Sequence, residues 1–159
     1  MSENPSGFST VRRVVTGHDS EGKSIVLFDS PASNTRLPDP HTKATILWVT
    51  DAAPVTFTGE QDGATIESGF APPSQGSRFG ILEIAPGNRL FMHRTDTVDY
   101  VVCLEGIVQL LLDTSEVTVN QGDVVIQRGT NHAWLNRGPS HARIAFVLLD
   151  GLPKREGSL

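Results

Sequence analysis

The chain has 159 residues, a formal net charge of −5 and one cysteine. That length holds one ordinary domain with a sizeable core, and the acidic balance argues against nucleic acid or an anionic membrane surface as partner, since both are met by clustered Lys and Arg. With Cys103 alone no intrachain disulfide is possible, and no uncharged apolar stretch is long enough to span a bilayer, so the expected compartment is the reducing cytoplasm.

The 15 glycines and 10 prolines cut the chain into short segments rich in Val, Ile, Leu, Thr and Phe, the texture of an all-β domain. Residues 1–10 are expected to be a flexible N-terminus, 11–150 a single domain, and 151–159 a loose polar tail. Strands are predicted at 11–16 and 24–28, joined by the polar turn 17–23 into an N-terminal hairpin. Segment 29–41 reads as an extended arm, because Pro31, Pro38 and Pro40 forbid regular helix. Further strands are predicted at 44–50 and 78–84, the second preceded by a Gly/Pro/Ser-rich loop over 68–77. Apolar runs follow at 98–104, 107–112, 124–126 and 142–149, divided by Gly106, Gly122, Gly129 and Gly138 at the intervals of a sandwich or barrel. Cys103 and Trp48 lie in apolar runs, Cys103 as a small buried hydrophobe and Trp48 as a core or dimer contact.

Side chains alternate between the faces of a strand, so residues of one parity converge. His93, Thr95, Thr97 and Asp99 form one such set, and His132, Trp134 and Asn136 form another after the tight turn at Gly129. If the two strands lie opposite each other, His93, Asp99 and His132 meet inside the barrel. Two imidazoles and a carboxylate suit one divalent metal ion, Fe, Mn, Ni or Zn. Without a metal the same residues form a hydrogen-bonded acid/base cluster whose pKa values apolar walls would perturb. Thr95 and Thr97 would present pocket hydroxyls and Trp134 a wall. Arg78, Gln127 and Arg128 are candidate anchors for a substrate carboxylate, Arg offering a planar fork of donors. Tyr100 faces the other side of its strand, Asn136 reads as tying down its turn, and His18, His41 and His141 sit in polar, exposed contexts. The adjacent basic pairs Arg12-Arg13 and Lys154-Arg155 read as solvated surface.

Segment 87–106 resembles the first cupin motif, which runs Gly, five residues, His, one residue, His, three or four residues, Glu, six residues, Gly. Gly87, His93 and Gly106 hold the landmark positions, Thr95 stands where the second His would be, and Asp99 where the Glu would be. Segment 122–136 resembles the second motif through Gly122, His132 and Asn136, with Gln127 in place of the usual Pro and one residue fewer before it. The resemblance implies a double-stranded β-helix, the cupin jelly-roll barrel, with a reduced ligand set of at most two His and one carboxylate. It also implies a small-molecule substrate and a homodimer, formed by pairing sheets or exchanging the arm over 29–41. The function expected is a metal-dependent lyase, a decarboxylase or dehydratase acting on an oxygenated organic acid or ketide-like substrate. An Fe-dependent dioxygenase and a non-catalytic ligand-binding barrel are the alternatives, because one fold hosts many chemistries.

Overall fold

A computed structural model describes residues 7–57 and 59–153. The outer parts of the expected flexible N-terminus and tail, including Lys154-Arg155, lie outside the described residues. Among the described residues eleven strands run in chain order: β1 Arg12–His18, β2 Ser24–Pro31, β3 Thr35–Asp39, β4 Thr42–Thr50, β5 Ser77–Ile84, β6 Thr97–Glu105, β7 Ile107–Leu112, β8 Glu116–Asn120, β9 Val124–Arg128, β10 His132–Leu135 and β11 Ala142–Asp150. A single 3-10 turn, Gly63–Thr65, lies between β4 and β5.

The strands pair antiparallel into a six-stranded sheet, β3-β4-β5-β11-β6-β9, and a three-stranded sheet, β10-β7-β8, with β1-β2 as a separate hairpin. Apolar side chains close the two sheets on each other. Ile84, Val101, Cys103, Val108, Leu110, Val119, Trp134, Ala142 and Ile144 form one buried cluster, so Cys103 is the small core residue expected and burial pushes its thiol pKa up. The hairpin is held against β4 by Arg13, which forms a two-pronged pair with Asp62 at 2.6 and 2.5 Å and donates to the Leu47 carbonyl at 3.1 Å.

Strand β6 shows how sequence divides the interior into core and cavity. Its inward residues read Thr97, Asp99, Val101, Cys103, all buried. The apolar half joins the core, while Asp99, with Gln127 beside it on β9, faces a cavity of about 370 Å³. Gly80 on β5 is required there. A Cβ at this position would lie 2.6 Å from the Phe146 ring and 2.7 Å from the Thr45 carbonyl oxygen, so its absence lets Phe146 lie flat on the sheet.

Three expectations change. The arm over 29–41 is largely strand: the end of β2 and all of β3 fall within it, and β3 pairs with β4 at the sheet edge. Pro38 is tolerated there because an edge strand leaves one row of N–H groups unneeded. Phe8 and Ser9, within the segment expected to be flexible, are also anchored. Phe8 is buried with its ring 5.3 Å from that of His141, and the Ser9 amide donates to Glu83 Oε1 at 2.8 Å. His141, expected to be exposed, is instead partly buried, 3.6 Å from the buried Glu83.

Candidate active site

Chain geometry brings His93 and His132 together directly. The two residues form an isolated antiparallel bridge, each backbone N–H donating to the other's carbonyl at 2.9 Å, and their ring centroids lie 4.5 Å apart. His93 is not on β6, whose first residue is Thr97. The chain bends at Asp96, so a continuous strand from His93 to Asp99 does not exist, and the meeting is made by the bridge.

Each imidazole is oriented by a backbone carbonyl. His93 Nδ1 lies 3.1 Å from the Phe91 oxygen and His132 Nδ1 lies 2.8 Å from the Thr130 oxygen. A carbonyl only accepts, so Nδ1 carries a proton in both rings, and in a neutral ring Nε2 is then the lone-pair acceptor. His132 is buried, and that burial, with the neighbouring His93 ring, holds its pKa below the usual imidazole value against smaller raising effects of the Thr130 carbonyl and Asp99. At neutral pH it is an uncharged base.

Asp99 lies opposite Gln127 across the β6-β9 pairing, and Gln127 Nε2 donates to Asp99 Oδ2 at 2.9 Å. The same Nε2 lies 3.4 Å from His132 Nε2. Thr97 Oγ1 donates to Asp99 Oδ1 at 2.6 Å, and Thr95 Oγ1, 2.7 Å from Thr97 Oγ1, must then be the donor to it. A directed chain results, running from Thr95 through Thr97 to Asp99 and from Gln127 to the same carboxylate. Gln127 Oε1 is buried with no partner, an acceptor that a ligand N–H or O–H would satisfy.

The expected metal set is therefore assembled differently from the sequence reading. His93, His132 and Asp99 share the cavity wall, but both Asp99 oxygens are engaged and Gln127 stands between the carboxylate and His132. Among the described residues no three His, Cys, Asp or Glu side chains are grouped to hold one ion. This arrangement does not fit a three-ligand metal site; it is a hydrogen-bonded wall ending in two imidazole lone pairs.

Of the other candidates, Thr95, Trp134 and Arg78 line the cavity. Thr97 is buried behind it and acts through Asp99. Arg128 is exposed, pairing with Val98 on the outer face, because it has the opposite parity to Gln127. Asn136 ties its turn as expected, donating to the Ile84 and Ser140 carbonyls at 2.8 and 2.7 Å. Tyr100 lies on the outer face and Trp48 packs against Gly63. Sequence reasoning passed over the aromatic mouth: Phe70 stacks near Phe91 at 6.1 Å, and Phe91 lies 5.2 Å from His93. Position in a loop hid Phe70.

Two antiparallel sheets closed around a cavity, with the two histidines of separate motifs bridged at its wall, define a cupin barrel. The cupin domain of Schizosaccharomyces pombe Cnp3 superposes with a TM-score of 0.55 at 12% identity, covering 87% of each chain. An ethanolamine utilization protein Q of Salmonella typhimurium gives 0.51 at 15% identity, over 91% of this chain and all of the other. No family model matches the sequence. The chain nevertheless belongs to the cupin superfamily through its curated relatives. The cupin-domain-containing oxidoreductase fogC of Aspergillus ruber is 35% identical over 91% of this chain and 74% of its own length. A phomopsin biosynthesis cluster protein of Diaporthe leptostromiformis is 34% identical over 91% of this chain and 80% of its own.

Proposed function

We propose that this protein is an enzyme of specialised metabolism that moves protons on an oxygenated small molecule, in the lyase class of dehydration or decarboxylation. The carrying observation is the buried, uncharged His132 with its unprotonated Nε2 on the cavity wall beside His93 and within reach of the Gln127 amide. The lone pair on His132 Nε2 makes that ring the base, and the same ring, once it has taken the substrate proton, is the acid. In a dehydration, the base removes the proton next to a substrate carbonyl and the acid protonates the departing hydroxyl, which leaves as water. Asp99 and Thr97 are positioning residues: they fix the Gln127 amide so that its N–H faces His132 and its Oε1 awaits a substrate donor.

Several relatives are named cupin-domain-containing oxidoreductases, which favours a second reading, an oxidoreductase. The two readings separate in one experiment. A panel of aryl β-hydroxy and β-keto acids is incubated with the protein in D2O, with and without chelator and with and without oxygen, and followed by NMR for deuterium exchange, water loss or decarboxylation. The lyase reading expects turnover that survives chelation and anaerobiosis and is lost in His132→Gln. Turnover that requires oxygen or an added redox cofactor refutes it and supports the oxidoreductase.

A further inference from the structure

Arg78 stands on the inward face of β5 in the same row as Leu148 on β11, Asp99 on β6 and Gln127 on β9. Neighbouring strands lie about 4.8 Å apart, so the Arg78 and Asp99 backbones are separated by roughly 10 Å across Leu148. The residue is only 6% exposed. Its Nη1 donates to the Phe70 carbonyl at 2.8 Å, its guanidinium carbon lies 5.9 Å from the Phe146 ring centroid, and its Nε is buried with no partner. Among the described residues no carboxylate pairs with it. Asp99 is held by Thr97 and Gln127, and Asp39, which also lines the cavity, accepts from the His41 amide at 2.7 Å.

A buried cation without a counter-ion is costly. Burial and the nearby Arg36 lower its pKa to about 10, still far above neutrality, so the charge is present and uncompensated. Leu82, Phe146, Leu148, Phe70 and Phe91 give the cavity a large apolar surface, with Asp39, Thr42, Asn88 and Arg89 as further polar lining. A planar fork of donors at one end, an apolar body, and an acceptor and two imidazoles at the other describe a ligand in outline.

We infer that the cavity binds an organic carboxylate with an aromatic or bulky apolar body, its acid group paired with Arg78 and its reactive part beside His93, His132 and Gln127. This deepens the proposed function and rests on its reading of the cavity as a small-molecule site. It does not rest on the proton-transfer chemistry. The carboxylate supplies the missing counter-ion.

The test is equilibrium binding, read by calorimetry without turnover. The probes are 4-phenylbutyrate, its primary amide, and phenyl phosphate. The acid is expected to bind about tenfold or more tighter than the amide, and Arg78→Gln is expected to abolish that preference while leaving Tm unchanged or raised, because an uncompensated buried charge has been removed. His132→Gln is expected to keep the preference, so failure of the catalytic reading is seen separately. Equal binding of acid and amide, no binding of the acid at millimolar concentration, or a preference retained in Arg78→Gln overturns the inference. Tighter binding of phenyl phosphate overturns the carboxylate assignment, and a fall in the Tm of Arg78→Gln makes Arg78 a structural residue. The acid-against-amide comparison on the unaltered protein stands even if that variant does not fold.

Discussion

Asp99 is the residue at which a hydrogen-bonded wall and a metal site predict different things. In Asp99→Asn the bond from Gln127 Nε2 survives on the remaining carbonyl oxygen, and the bond with Thr97 reverses, the new amide donating to a hydroxyl free to rotate. Both bonds change from charge-assisted to neutral. Such bonds are worth about 1.5–3 kcal/mol with a charged partner and about 0.5–1.5 kcal/mol without, so the two together lose roughly 2 kcal/mol. Asp99→Ala instead strands the Thr97 hydroxyl and the Gln127 amide, at about 1–3 kcal/mol each, so its cost is roughly 2–6 kcal/mol. For a domain of this size 1 kcal/mol corresponds to about 2–4 °C in Tm. Calorimetric melting should therefore place Asp99→Asn roughly 4–8 °C below the unaltered protein and Asp99→Ala lower still. An Asp99→Ala variant as stable as the unaltered protein would refute the reasoning, since Asp99 would then organise nothing.

Gly80→Ala should destabilise by about 1–3 kcal/mol in urea titration, because the added methyl meets the Phe146 ring and a backbone oxygen; a neutral effect would show that Phe146 can leave its place over the glycine. The pH dependence of stability has a definite sign at His132. Its folded pKa is depressed, so its contribution is intact above the unfolded value of about 6.5 and is lost as pH falls from there through the folded value. Urea midpoints of the unaltered protein should fall below pH 6.5 relative to those of His132→Gln, and parallel curves would contradict the shift. The outer face of the six-stranded sheet exposes Phe79, Tyr100, Val102, Leu104, Val124 and Ile126. If a second copy covers it, light scattering finds a dimer that Ile126→Lys dissociates; a monomer at all concentrations would remove that expectation.

Glycine and proline punctuation was enough to place most of the strands, but not β3, β8 and β10. Strand β8 alternates only Val117 and Val119 with polar residues and buries Val119 alone, a pattern too short to have been read as a strand. Strand β3 carries a proline that only its edge position permits, and β10 is four residues long. The histidines of the site were legible because motif spacing marks them. The position of Gln127 between Asp99 and His132 was not, since it depends on a pairing register between β6 and β9 that no local pattern encodes. Arg78 could be named as an anchor, yet its unpaired burial follows only from β11 lying between β5 and β6.

The central claim is that His132 carries its proton on Nδ1 and presents an unprotonated Nε2 at the cavity wall. Long-range 1H–15N NMR on protein labelled at histidine nitrogen, purified without a metal-binding tag and with the signal assigned through His132→Gln, reads this directly. The account predicts at pH 7 a neutral ring with Nδ1 protonated and Nε2 unprotonated, gaining a proton only at a pH below the ordinary imidazole range. A cationic ring at pH 7, or an Nε2 bound to a stoichiometric metal ion, would contradict it.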